Sequence, residues 1–329
     1  MYLALGKNTL AKEVTGPVIQ FGNFFHIIPI ILLFAALIVS TILCRRFGKK
    51  FSKRLILILL WGNFCLHFLK QLLPGYINDQ PYMVSHSSFE NLCATLIILA
   101  PFIFMFGNKY FKDYLFYIGV ISGLGPYLFP SGIMNISLAD GENLVEIIRF
   151  YTAHMPLVIC GFLMVDQGFH KLNYHRLWAI PFILMLVDTI VLLNSMFLWA
   201  TGAWTRFYGD ISNVENWKVF FSNRTMINNN ASQIGPPMIQ TRNDRWGTAD
   251  LIPWHKFMIP YLQYYYMEVK GVETICFVPI VWMFIPVTII TWPLGLLLSA
   301  PWEHRHVRMD YTALKQIIKM RRSSRSSLS

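Results

Sequence analysis

Charged side chains are scarce in this chain: 14% of 329 residues, against 55% hydrophobic and 16% aromatic. That balance excludes a water-soluble globule, which needs more polar surface to cover its core. Loop cysteines are lacking as well. All five cysteines, Cys44, Cys65, Cys93, Cys160 and Cys276, fall within or at the edge of apolar stretches, so no disulfide framework is implied. The histidines lack ligand spacing such as His-Glu-x-x-His, and neither a metal nor another cofactor is implied. A signal-peptide cleavage site is missing too. Lys7, Lys12 and Glu13 precede an apolar run too long for a signal core, so the first helix reads as a permanent span. The net charge of +11 does not point to nucleic acid, because the basic residues sit in short clusters beside apolar runs.

Long apolar runs are what the chain has instead. A helix crossing a hydrocarbon core of about 30 Å needs roughly 20 residues. Seven stretches reach or approach that length: Phe24 to Leu43, Leu55 to Leu73, Phe89 to Phe106, Tyr114 to Phe129, Ile147 to Val165, Leu177 to Leu198 and Thr274 to Leu298. The expectation is an all-α, polytopic transmembrane bundle of about seven spans. Gly119, Gly123, Gly125 and Pro126 interrupt the fourth, which predicts a kinked inner helix.

Two short loops, Pro74 to Ser88 and Pro130 to Glu146, contain no Lys or Arg. The alternate loops carry Arg45, Arg46, Lys49, Lys50, Lys53 and Arg54, then Lys109 and Lys112, then Lys171 and Arg176. Basic residues are retained on the cytoplasmic side, so the N-terminus is expected outside and the tail, with Arg305, Arg308, Lys315, Lys319, Arg321, Arg322 and Arg325, inside. The expected organisation is an outer N-terminal segment (1–23), a six-span core (24–199), a long outer loop (200–273), a seventh span (274–299) and a basic cytoplasmic tail (300–329).

Three sequons, at Asn135, Asn223 and Asn230, fall in segments placed outside. The long loop combines an Asn-rich turn, Asn228 to Asn230, with Trp204, Trp217, Trp246, Trp254 and Tyr264 to Tyr266, a density of aromatics suited to the headgroup zone. In the tail, Tyr311, Leu314, Ile317 and Ile318 face away from Lys315, Lys319 and Arg322, the pattern of an interfacial helix on an anionic leaflet. Membrane lipids are therefore the expected partners, and the location is a multi-pass integral one in either the plasma membrane or an endomembrane.

Polar residues inside apolar spans are costly and usually face the bundle interior. The second span has Asn63, His67 and Lys70 on one face near its outer end. The third opens with Ser87-Ser88-Phe89-Glu90, a capping-box pattern that predicts Glu90, Asn91 and Cys93 in its first turns. The fifth carries Arg149, Thr152 and His154 near its outer end, the sixth Asn194 and Ser195, and Asp188 alone sits near the midplane. Cys93 and His154 lie at matching depths. A thiol is a weak nucleophile until deprotonated, and an imidazole within hydrogen-bond reach is its usual activator. From spacing alone, the preferred reading is Cys93 as a small buried apolar residue and His154 as a polar contact between helices.

The stretch from about residue 60 to 208 resembles the YwaF-like family of integral membrane proteins. That family includes the eukaryotic transmembrane protein 164 group, a membrane cysteine acyltransferase that remodels phospholipids. Two elements carry the resemblance. Phe89-Glu90-Asn91-Leu92-Cys93 is similar to the family's Leu-Pro-Leu-His-Leu-Cys, with Asn91 in place of its His, and Phe150-Tyr151-Thr152-Ala153-His154 is similar to its Phe-x-x-Ser-His. The resemblance implies Cys93 as nucleophile and His154 as base in an enzyme acting on phospholipid acyl esters through an acyl-thioester, as transferase or hydrolase. Glu90, Asn91, Thr152, Asn194 and His67 are the expected supporting residues, with Asn91, Thr152 or Asn194 as oxyanion donors. Two other classes fit the same pattern of spans. A transporter or channel would run through His67, Lys70, Glu90 and Asp188, although the chain shows no repeated halves. A seven-span receptor or scaffold would need neither site.

Overall fold

The computed structural model describes residues 16–73, 77, 84, 86–130, 133–134, 137–205, 209–221, 264–269, 272–277, 280–281 and 284–326. The three sequons, the Asn-rich turn and Trp246 and Trp254 lie outside them.

Helix α1 (Phe24–Leu69) holds the first two expected spans as one element. Asn23 caps it, its side-chain oxygen accepting from His26 N at 3.0 Å. The basic stretch expected as a loop is helical except at Gly48, whose φ of 78° and ψ of −175° break the helix. Only glycine takes that φ without a Cβ penalty. Ser52 Oγ holds the break, lying 3.0 Å from both Gly48 O and Gln167 Oε1.

The partners at the ends show that α1 doubles back. His26, at the start of the first arm, donates from Nε2 to Tyr127 O at 2.8 Å. Lys70, just past the second arm, is ion-paired with Glu90 at 3.6 Å. Arg45, beside the break, is paired with Asp166 at 2.7 Å, at the far end of the helix that begins at Gly141. Both tips of α1 therefore lie at one end of the bundle, the site end, and Gly48 lies at the other.

The bundle continues with α2 (Leu92–Phe106), α3 (Lys109–Leu128), α4 (Gly141–Asp166) and α5 (Ala179–Ala200). Asn108 caps α3 by accepting from Tyr110 N at 2.9 Å and Phe111 N at 3.1 Å. As expected, α3 is the inner helix: Tyr114 through Gly119 are all buried. Its tightest neighbour is α4, and Gly123 makes that approach possible, since a Cβ there would meet Val158 Cγ2 at 2.7 Å and His154 O at 2.9 Å. The core joins Leu60, Leu96, Tyr114, Leu157, Leu163 and Val187, one or more residues from each of the five helices.

Beyond the bundle lie a short helix α6 (Val214–Phe221), two strands and α7 (Phe284–Ser326). The strands correct one sequence expectation. β1 (Tyr264–Val269) and β2 (Val272–Phe277) pair antiparallel with Tyr264 opposite Phe277, a small hairpin beside an otherwise all-α bundle, so the last span does not begin at Thr274. Val, Thr, Ile, Tyr and Phe crowd both segments, and such β-branched and aromatic residues favour pleated backbone. The helix of the last apolar stretch starts at Phe284 and runs through the tail as far as Ser326.

Among the described residues, three helical stretches, Phe24–Leu72, Gly141–Asp166 and Ala179–Ala200, are long and apolar enough to cross a membrane, the first holding both arms of α1. Leu92–Phe106 is apolar but shorter, at 15 residues. Along the first arm, Ile27, Ile31, Phe34, Ile38 and Ile42 form an exposed row, 43 to 60% accessible. A row of that kind suits lipid and not water. The architecture is thus a helical, membrane-type bundle with one small hairpin appended.

The Gly48 end gathers ionic contacts. Asp113, 1% exposed, accepts from His170 Nε2 at 2.7 Å and from Arg176 Nε at 2.5 Å. Lys49 Nζ reaches Gly168 O at 3.2 Å. Arg176, whose guanidinium the Asp113 hydrogen bond holds above its ordinary range, is a structural tie as well as a charge.

Candidate active site

Cys93 is the second residue of α2, within its first turn. Asn91, not Ser87, is that cap: its side-chain oxygen accepts from Ala94 N at 2.8 Å, and Glu90 lies before the helix instead of in its first turn. The expected capping box fails because the Glu90 carboxylate is taken elsewhere. It meets His86 Nδ1 at 2.5 Å and Lys70 Nζ at 3.6 Å. All three side chains are under 10% exposed.

The thiol of Cys93 points at Ser122 O of α3, 3.9 Å away. That carbonyl is free because residue 126, which would donate to it in a regular helix, is Pro126 and has no N–H. His154, buried on α4, packs its backbone carbonyl against Gly123 of the same α3 segment. Its Nδ1 is 2.6 Å from Phe150 O. A carbonyl only accepts, so Nδ1 carries the proton and Nε2 keeps its lone pair. Among the described residues Nε2 makes no hydrogen bond, and the thiol and the imidazole are not bonded to each other. Asn63 Nδ2 steadies this stretch of α4 from α1, donating to Ala153 O at 2.8 Å.

The other expected site residues divide. Asn194 Nδ2 donates to Ser88 Oγ at 3.0 Å, tying α5 to the segment that leads into α2. His67 is buried beside Lys70, its Nε2 without a partner among the described residues. Thr152 is exposed and returns its hydroxyl to Ile148 O at 2.8 Å on its own helix, so the structure does not bring it to the thiol. Arg149 is paired with Glu146 one turn earlier.

Asp188 is fully buried with neither carboxylate oxygen bonded among the described residues. Thr95 Oγ1 and the Tyr114 hydroxyl are buried and unbonded in the same way on the facing helices α2 and α3. Sequence reasoning singled out Asp188 but missed its companions. A threonine hydroxyl in an apolar helix normally turns back on its own backbone, so the sequence did not signal Thr95.

The described residues include no group of three or more His, Cys, Asp or Glu side chains able to hold a metal ion. The sequence model of the TMEM164 family matches residues 20–233, which takes in α1 through α6 and both Cys93 and His154. No curated protein and no solved structure matches the chain.

Proposed function

The chain belongs to the TMEM164 family, and from that premise we propose that it is a multi-pass membrane enzyme that moves or hydrolyses phospholipid acyl groups through a thioester on Cys93. The observation that carries the reading is the His154 tautomer. The Nδ1 bond to Phe150 O leaves the Nε2 lone pair without a hydrogen bond among the described residues, and the His154 backbone and the Cys93 thiol meet neighbouring residues of α3, Gly123 and Ser122. An oriented base near a nucleophile is the minimal apparatus for covalent acyl transfer.

In the resting structure the S–H is held by Ser122 O, so turnover begins with rotation of the Cys93 side chain away from that carbonyl. His154 Nε2 takes the proton, and the sulfur attacks the ester carbonyl carbon. The C–O bond to glycerol breaks, and the leaving alkoxide takes the proton from His154. A second lipid hydroxyl, or water, then attacks the thioester with His154 again as base, and Cys93 departs and is reprotonated. Asn91 Nδ2, at the helix start, is the donor best placed for the oxyanion, since Thr152 turns away and Asn194 is engaged by Ser88.

The two arms of α1 with α2, α3, α4, α5 and α7 make seven spans in this reading. The N-terminus is outside, because Arg45, Lys49, Lys109, Lys112 and Arg176 collect at the Gly48 end. The site end then faces the outer leaflet, and the basic tail lies on the anionic cytoplasmic one. A second reading, a proton-coupled transporter, draws on Asp188 with Thr95 and Tyr114, buried polar groups of the kind that line ion paths.

The test is chemical trapping. Purified native protein incubated with acyl-labelled phospholipid should retain label that hydroxylamine releases, Cys93→Ala should retain none, and His154→Ala should acylate more slowly. Full lipid remodelling by Cys93→Ala would remove the enzyme reading.

A further inference from the structure

Residues 16–23 cross the site end of the bundle as a strap. Leu138 N donates to Pro17 O at 2.9 Å, Val18 pairs with Ser137 in an antiparallel bridge, and Ile19, 1% exposed, packs into a cluster with Tyr127, Ile133, Ile147 and Tyr151. Where the strap turns into α1 it is fastened by one buried side chain, His26. Gly22 N donates to its Nδ1 at 2.8 Å, and its Nε2 donates to Tyr127 O, also at 2.8 Å. Tyr127 O belongs to the last turn of α3, where carbonyls lack helical donors. The Tyr127 hydroxyl in turn donates to Tyr151 O at 2.7 Å, three residues before His154 on α4.

These two bonds fix the charge of the ring. One nitrogen accepts and the other donates, which only a neutral imidazole can do. An imidazolium carries N–H on both, so Nδ1 would meet the Gly22 N–H donor to donor, and the charge would sit among apolar side chains without a carboxylate. Residues 16–43 contain no other ionisable side chain. On the elements packed against the ring, the ionisable groups toward the site end are Tyr127 of α3 and, on α4, its cap Asp140, Glu142, the Glu146–Arg149 pair, Tyr151 and His154. Asp140 accepts from Glu142 N, and no carboxylate is ion-paired with His26 among the described residues.

We propose that the strap is a pH-operated latch over the site end, closed while His26 is neutral and open once it is protonated. Protonation breaks both bonds together, because a ring that turns away from Gly22 N–H also takes Nε2 off Tyr127 O. Residues 16–23 then withdraw Ile19 from its cluster and uncover Tyr127 and Ile133. Ser122, whose carbonyl receives the Cys93 thiol, lies five residues before Tyr127 on α3, so the opening occurs beside the segment on which the thiol rests. The latch needs no substrate and no thioester. Its bonds are present above the ordinary imidazole range, about 6.5, and are lost as pH falls below it.

The test is amide hydrogen exchange, read by mass spectrometry on the full native chain in detergent at about pH 7.5 and about pH 5, with labelling times scaled to the chemical exchange rate at each. Peptides covering residues 16–23 and 137–140 should lose at least about tenfold in protection at the lower pH, while residues 183–191 of α5 keep theirs. His26→Gln supplies an amide that can accept and donate as the neutral ring does but does not titrate, so its strap should stay protected at both. Thermal melting checks that this variant is folded, and His26→Asn takes its place if it is not. Equal protection of the native strap at the two pH values would overturn the proposal without any variant. A loss in the folded amide variant equal to the native one would overturn it too, as would a loss that spreads to residues 183–191, which is acid unfolding of the bundle.

Discussion

The thiol of Cys93 is held 3.9 Å from the carbonyl oxygen of Ser122, the one carbonyl of that turn of α3 that Pro126 deprives of its helical donor. A proline in α3 thus decides where a cysteine in α2 points. In the proposed acyl transfer, the thiol must leave the acceptor that Pro126 frees.

Pro126→Ala restores an N–H that bonds Ser122 O within α3 and removes the reason for the thiol to stay there. Alkylation of Cys93 by a membrane-permeable iodoacetamide should then run several-fold faster than in the native protein, with Cys93→Ala as the blank. An unchanged rate would mean that the Ser122 contact does not hold the thiol.

Gly123→Ala puts a methyl group 2.7 Å from Val158 Cγ2 and 2.9 Å from His154 O, so α3 and α4 must separate. Thermal unfolding in detergent should show a loss of roughly 1–3 kcal/mol, the usual cost of overpacking. Gly62→Ala is the matched control in α1, where a Cβ meets nothing within 4 Å, and should gain about 0.5–1 kcal/mol from helix propensity.

Asp188→Leu replaces a fully buried carboxyl that has no bonded partner among the described residues. If the group is only a buried polar cost, the substitution should stabilise by roughly 1–3 kcal/mol. A loss of stability would show that Asp188 is satisfied by bound water or is required by the bundle.

Asp310 ties α7 to the segment before α5, accepting from Tyr174 and from His175 Nε2 at 3.1 Å. The Tyr174 hydrogen bond first, and His175 after it, hold its carboxyl below the ordinary carboxylate range. A depressed folded value contributes stability that is present above the unfolded value of about 3.9 and is lost as pH falls through the folded one. Proteolysis of the tail should therefore be slow near pH 6 and faster below about pH 4. Asp310→Asn should remove the difference between the two.

The helices themselves were legible. Apolar length and the clustering of Arg and Lys placed both arms of α1 and α2 through α5 within a few residues, because a span of lipid-compatible length admits few other structures. The misplacements have local causes. Residues 44 to 54 looked like a loop because six basic residues fall there, yet only Gly48 leaves the helix. Ser87 and Glu90 matched a capping box, but Lys70 and His86 captured the carboxylate and left Asn91 to cap. Thr274 to Phe277 was apolar enough to read as the start of a span, and pairing with Tyr264 to Met267 drew it into a strand.

Sequence alone determined that this chain is a helical membrane protein and singled out a Cys and a His within its apolar spans, because hydrophobic length identifies a span without reference to any neighbour. It did not determine what those two side chains touch. Which carbonyl receives the Cys93 thiol, which nitrogen of His154 stays free, that Thr152 turns outward and that Lys70 meets Glu90 depend on the rotation of each helix about its axis. Packing settles that rotation, here through the close approach at Gly123 and the reversal at Gly48, and only the tertiary structure contains it.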